Sequence, residues 1–398
     1  MKILLANLTK MVEDSGGLAK VTCEFANEMK RRGHEVSLVY SDVQTGDFYY
    51  PLDNDIPVMD IRHYKGQDIP YPWHLKLKRE FFRMFSKQKA RTVNNDFAEV
   101  YLLRNLQDVL EAIQPEVIVS FQPAASKMLL CDLKTTIPVI TMSHGDPEDY
   151  FHIYPKEEIP ALEKSAVCQV LLPSFAQHIL THLPNAKTVV IGNAIPQYEE
   201  QADLMAEKEQ YKILFLGRLS KNHKRPHLLI EAFAKIADEF PNWIVELWGA
   251  EDGKAYYKEL QLMIKKYGLE KRVFLKGATK NVESVLKEGD IFAFPSAYEG
   301  FGLSLGEAMS MGLPAVGYRN CSAVNELIKD GVNGFLCENG AEDFSHRLAD
   351  LMTNTGLRAH FGQNAKISME QYAPSLVWSK WDTLLSQVKN QSVYSCEE

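Results

Sequence analysis

The chain has 398 residues, more than one hydrophobic core comfortably serves, so two domains of about 150 to 200 residues are expected. Its 45% hydrophobic and 24% charged residues are those of an ordinary globular protein, and a net charge of −8 argues against nucleic acid as a partner. The apolar run in MKILLANLTK is too short for a signal peptide, and no run of about 18 apolar residues occurs, which points to a cytoplasmic protein without a spanning helix. Six cysteines (Cys23, Cys131, Cys168, Cys321, Cys337, Cys396) form no CxxC pair and show no metal-ligand spacing, and they read as reduced thiols.

Strand-like apolar runs alternate with segments of helical period, the pattern of parallel α/β layers. KILLANL (2–8) leads through TKMVEDSGG into an amphipathic helix that stops at Gly33, before the strand EVSLVY. Gly16 and Gly17 stand at the helix start but do not spell GxGxxG, and by themselves mark only that start. WHLKLKREFFRMFSKQKAR (73–91) carries seven cations against the single acid Glu80, interleaved with Trp, Phe, Leu and Met. Such a basic amphipathic segment suits an anionic membrane surface, touched by Lys76, Lys78, Arg79 and Arg83; the alternative is a helix whose aromatics pack on the first domain.

EVIVSF (116–121), PVITMS (138–143), QVLLP (169–173) and TVVIG (188–192) read as further strands. His144 follows the second of them, with Asp146 the nearest carboxylate; alone, a loop histidine reads as structural. Residues 193–210 are polar and strandless, a linker. YKILFLGRL (211–219) then opens a second strand, loop and helix, the helix starting at Pro226. WIVELWG, RVFLKG, IFAFPS, PAVGY and GFLC follow as strands, and 373–390 as a helix after a proline break. The expected class is α/β, with Rossmann-like domains over 1–192 and 193–372 facing a cleft.

The chemistry gathers in IFAFPSAYEGFGLSLGEAM, a buried strand, a loop and a helix. Gly300 and Gly302 let backbone N–H groups around Phe301 approach a ligand, and the helix opening at Leu303 turns its positive end to the same place. Arg218 and Lys224, after the neighbouring strand, add a fork of donors and a point charge suited to a diphosphate. Carboxylates beside phosphate need hydroxyls to accept from, so Glu307 suits a ribose diol and Glu299 the hydroxyls of a second sugar. That combination describes a nucleotide sugar.

GRLSKNHKRPHLLIEAF and FPSAYEGFGLSLGEAMSMGLPAV, with VIGNAIP and NELIKDGVNGFL, resemble the signature segments of retaining GT-B glycosyltransferases of family four type. Glu299 and Glu307, with seven residues between them, resemble that family's E-x7-E pair. One departure is Arg225, where the family commonly has glycine after its lysine. The resemblance implies that the Gly16–Gly17 loop closes over the donor diphosphate, leaving Glu13, Asp14 and Lys20 as acceptor-side candidates. It implies that His144 lies near the transferred sugar, and that the helix over 373–398 crosses back to the first domain. It further implies a uridine-linked hexose or N-acetylhexosamine donor and a glycan or lipid-linked acceptor. The setting would be cell-surface polysaccharide assembly at the inner face of the cytoplasmic membrane, and transfer would retain configuration by front-face attack. No cofactor or metal is expected: DND at 53–55 resembles the metal-binding DxD of another glycosyltransferase fold, but no strand leads into it. A nucleotide-sugar epimerase, a phosphorylase of the same fold and a non-catalytic nucleotide-sugar-binding module stand as alternatives.

Overall fold

The computed structural model describes residues 1–394, so Cys396 lies outside the described residues; the other five cysteines are free thiols. Two compact units divide the chain, Met1–Gly192 with the segment from Trp378 onward, and Asn193–Val377.

The first unit is a seven-stranded sheet of β1 (Lys2–Asn7), β2 (Glu35–Tyr40), β3 (Val58–Asp60), β4 (Val117–Ser120), β5 (Val139–Met142), β6 (Val167–Val170) and β7 (Thr188–Val190). Their order is β3-β2-β1-β4-β5-β6-β7, all parallel. Ile3, Leu4, Leu5, Val117, Ile118 and Val119 are wholly buried, because helices cover both faces of a parallel sheet and central strands must be apolar on each. The expected strand at 169–173 lies instead at Val167–Val170; Pro173 opens a helix, Pro173–His182, so the chain has to leave the sheet before it.

The second unit is a six-stranded parallel sheet of β8 (Tyr211–Leu216), β9 (Trp243–Trp248), β10 (Val273–Gly277), β11 (Ile291–Phe294), β12 (Ala315–Tyr318) and β13 (Gly334–Cys337), ordered β10-β9-β8-β11-β12-β13. In both sheets the order reverses beside the first strand of the unit, between β1 and β4 and between β8 and β11. Ligands of open α/β sheets bind at the carboxyl ends of strands at such switch points.

Residues 193–210 contain no strand, yet they are not a free linker. Ile195 is buried against Gly306, where an added Cβ would meet the Ile195 Cδ1 at 2.7 Å, and the Ala202 N–H donates to the Met311 carbonyl. The helix Pro374–Tyr394 passes from one unit to the other between Val377 and Trp378. Past that point Trp378 and Trp381 set their rings edge-on to Phe25 of the helix Gly17–Arg31, and Asp382 pairs with Arg32 at 2.5 Å.

Candidate active site

In the second unit β8 and β11 are direct neighbours, so the loops leaving their carboxyl ends lie side by side. Three contacts fasten them together. The Ala297 N–H donates to the His223 carbonyl at 2.7 Å, and the Ser304 hydroxyl donates to the Leu216 carbonyl at 2.9 Å. The third is Arg225, whose guanidinium donates to the carbonyls of Pro295 and Ser296 and to Asn339. Arg225 also has φ of 49°, a left-handed backbone. That geometry accounts for a glycine at this place in the family, and for the departure: a left-handed residue costs about 1–2 kcal/mol, while each hydrogen bond to a charged group returns roughly 1.5–3 kcal/mol.

The result brings Lys224 to Glu299. Their Nζ and Oε1 atoms are 2.6 Å apart, both side chains largely buried, with the ammonium 4.7 Å from the centre of the Phe294 ring. Arg218, in contrast, is exposed and forms no ion pair among the described residues. Gly302 takes φ of 84° and starts the helix Leu303–Ser310, whose N-terminus no side chain caps and whose first turn holds no acid. Gly300 is not among the left-handed glycines, so the conformational demand falls on Gly302 alone. Phe301 points inward, 3% exposed, its ring edge-on to Tyr372 at 5.0 Å. It anchors the loop rather than lining it. Glu307 is buried on the same helix, where its charge raises the pKa of Tyr198 further after burial has done so. Gly249 closes the other flank: an added Cβ would sit 1.9 Å from the Gly217 carbonyl oxygen.

In the first unit His144 leaves β5 and stacks on Phe121 at 5.5 Å. Its Nε2 is buried without a hydrogen-bond partner, and burial pushes the imidazole down to about 4, so it is neutral at physiological pH. Asp146 is engaged elsewhere, 2.6 Å from the Nδ1 of His178. Asp14 accepts from the Gly16 N–H at 2.9 Å and Lys20 faces Glu24 at 3.9 Å, while Glu13 is exposed with φ of 50°. Gly16 precedes and Gly17 begins the helix Gly17–Arg31. Asp53 and Asp55 both pair with Lys30, at 2.6 and 2.9 Å. One group did escape the sequence spacing: Glu148, His152 and His182 bring ligand atoms within metal-binding reach, because Glu148 accepts from both imidazoles across two helices. On the helix Trp73–Arg83 no residue is buried; Lys76, Lys78 and Arg83 are exposed, and Arg79 pairs with Glu80. No helix among the described residues is long and apolar enough to cross a membrane.

The Tyr372 anchor, the Ser304 tether and the Arg225 staple were not legible as site features, because each acts through a partner distant in sequence. Only Arg225 left a signal, a bulky residue where glycine is usual.

Comparison with known proteins agrees with this architecture. The family model "Glycosyltransferase Family 4" matches residues 15–197, and "Glycosyl transferases group 1" matches 196–368. The amylovoran biosynthesis glycosyltransferase AmsD of Erwinia amylovora is 24% identical over 385 residues, 94% of this chain and 97% of that one. The solved structure of Anabaena HepE with UDP and glucose superposes with a TM-score of 0.73 at 19% identity, covering 97% of this chain and all of the other. S. aureus TarM, in a complex with fondaparinux, α-GlcNAc-glycerol and UDP, gives 0.73 at 15% identity, covering 96% and 99%. With two parallel Rossmann-like sheets and consecutive family matches spanning most of its length, the chain belongs to the GT-B glycosyltransferases of family four type.

Proposed function

We propose that the protein is a retaining glycosyltransferase that takes a uridine-diphosphate hexose or N-acetylhexosamine in its second unit. The observation that carries this reading is the buried Lys224–Glu299 pair, beside exposed Arg218 and the uncapped helix at Leu303, at the β8/β11 switch point. Cleaving the anomeric bond leaves positive charge on the sugar and negative charge on the departing diphosphate. Arg218, Lys224 and the N–H groups after Gly302 stabilise the diphosphate, each worth ~3 kcal/mol by analogy with oxyanion donors. Lys224 is the hinge of the exchange: as it turns to phosphate, Glu299 is released to accept from sugar hydroxyls. Glu307 holds the ribose diol. His144, neutral and with Nε2 unpartnered, is suited to a sugar hydroxyl. Retention follows from front-face attack, the leaving phosphate oxygen taking the acceptor's proton.

The UDP found with HepE and TarM supports the choice of base, and the role of AmsD in amylovoran biosynthesis supports a cell-surface polysaccharide setting. The acceptor is a glycan or lipid-linked saccharide, met at an anionic cytoplasmic membrane face by the helix Trp73–Arg83. Five large apolar side chains, Trp73, Leu77, Phe81, Met84 and Phe85, stand exposed in and just after that helix among its cations. Leaving them in water forgoes roughly 1.5–3 kcal/mol each, so a surface that covers them is favoured.

The test uses purified protein, acceptor and UDP-sugar. Glu299→Ala is expected to lower transfer at least a hundredfold, and EDTA to leave it intact, since protein cations take the place of a divalent ion. Near-normal turnover by Glu299→Ala would remove the sugar-holding role, and loss on chelation restored by magnesium or manganese would remove the metal-free one.

A further inference from the structure

The first unit holds a cavity of about 990 Å³ at the β1/β4 switch point, lined by Leu8, Thr9 and Lys10 after β1 and by Gln122, Ala124 and Ala125 after β4. This volume lies at the upper end of ligand pockets, roughly 300–1,000 Å³. Its charge is unbalanced. Lys10, Arg62, Lys76 and Arg91 line it, and none of the four has an ion-pair partner among the described residues. Arg62 is only 6% exposed, its guanidinium 4.7 Å from the Phe97 ring centre rather than against a carboxylate.

The acids in the wall do not offset them. Asp42 is spent on the N–H groups of Met11 and Val12, each at 2.8 Å, and Asp68 faces His63 at 3.2 Å. Glu158 is held by Asn95 at 2.8 Å, and burial pushes its carboxyl up to about 7. Three buried polar atoms of this wall also lack any partner: Arg91 Nη1, Gln122 Oε1 and Glu158 Oε2. Buried polar groups are ordinarily satisfied, so a donor and acceptors orphaned around one cavity mark a place for a ligand with both kinds of group.

We propose that this cavity binds the phosphate-bearing part of an anionic acceptor, with Arg62, Arg91 and Lys76 on the phosphate oxygens and Gln122 accepting from a neighbouring hydroxyl. It rests on the reading that the first unit takes the acceptor, and narrows that acceptor to a saccharide or polyol carrying phosphate. A lipid-linked saccharide diphosphate and a soluble polyol-phosphate chain share this chemistry. Phosphate is preferred over carboxylate because Arg62, Lys76 and Arg91 come from three separate elements, the loop after β3 and two helices, which suits an anion with oxygens on several sides.

The experiment is isothermal titration of the full chain with inorganic pyrophosphate while UDP is held saturating. One site is expected, weakened by raised salt, weakened at least tenfold by Arg91→Gln with Lys76→Ser, and within threefold of normal in Arg91→Lys. Lys164→Ser with Lys187→Ser, which removes the same charge from exposed positions of the same unit, is expected to bind normally. Competition then separates the sources: a short-chain polyprenyl diphosphate saccharide or a polyol-phosphate oligomer displaces pyrophosphate at the lower concentration. Absence of a pyrophosphate site, or equal binding by the Arg91→Gln, Lys76→Ser variant with its thermal unfolding unchanged, would overturn the proposal. Failure of UDP to bind would instead count against the donor reading, since the cavity variants report on the first unit alone.

Discussion

Lys224 and Glu299 are paired before any donor arrives, and that shapes how each substitution is expected to behave. Removing Glu299 leaves a largely buried ammonium without its carboxylate and takes away the contact to the reacting sugar proposed for Glu299, so kcat and kcat/KM are expected to fall together. Glu307→Ala is expected to raise the donor KM several-fold with kcat nearly unchanged, because a ribose contact is much the same in ground and transition states. Steady-state kinetics on both variants checks the split, and a KM effect for Glu299→Ala alone would reverse the two assignments. Two buried groups of the first unit contribute in opposite senses to its response to pH. Glu158, raised to about 7, binds a proton in the folded state between its ordinary value and 7, so its contribution to stability is lost as pH rises through that range. His144, lowered to about 4, does the opposite: the unfolded chain takes up the proton first, and its contribution is lost as pH falls below about 6.5. Glu158→Gln is therefore expected to be more stable than the parent at pH 8, by the order of 1–3 kcal/mol, and no more stable at pH 4. Urea unfolding at the two pH values measures it, and an equal shift at both would show that the carboxyl is not held protonated.

At the scale of elements, the strands and the glycine-bearing turn were legible because burial on both faces leaves continuous apolar runs and a left-handed turn leaves a glycine. The short edge strand β3 carried no such run and was not foreseen. The cavity was equally hidden: Arg62, Lys76 and Arg91 come from a loop and two helices, and no spacing in sequence links them. The segment at 73–91 shows a finer limit. Its sequence read as one amphipathic stretch, but Ser86 caps a new helix, Lys87–Tyr101, and only the part before it stays unburied. The protein is expected to sediment with anionic and not with neutral liposomes, and raised salt to release it. Trp73→Ser, Phe81→Ser and Phe85→Ser together should abolish sedimentation while leaving UDP binding unchanged. Equal binding to neutral vesicles, or to none, would assign those side chains to a protein partner.

Across the whole molecule, both sheets use the same reversal of strand order, and each puts its chemistry at the carboxyl ends beside it. The second unit gathers Lys224 and the exposed Arg218 with two buried glutamates; the first gathers a neutral histidine and a cavity lined by cations unpaired among the described residues. The family match makes the chain a glycosyltransferase, and the central claim beyond it is that the second unit holds a nucleotide diphosphate sugar at Lys224 and Glu299. The most direct measurement is a screen for slow hydrolysis of nucleotide sugars without acceptor, followed by chromatography of the released nucleotide diphosphate. Release of UDP from one UDP-hexose or UDP-N-acetylhexosamine is expected, reduced at least a hundredfold in Glu299→Ala. Hydrolysis that survives Glu299→Ala undiminished, or no release from any nucleotide sugar, would contradict the central claim.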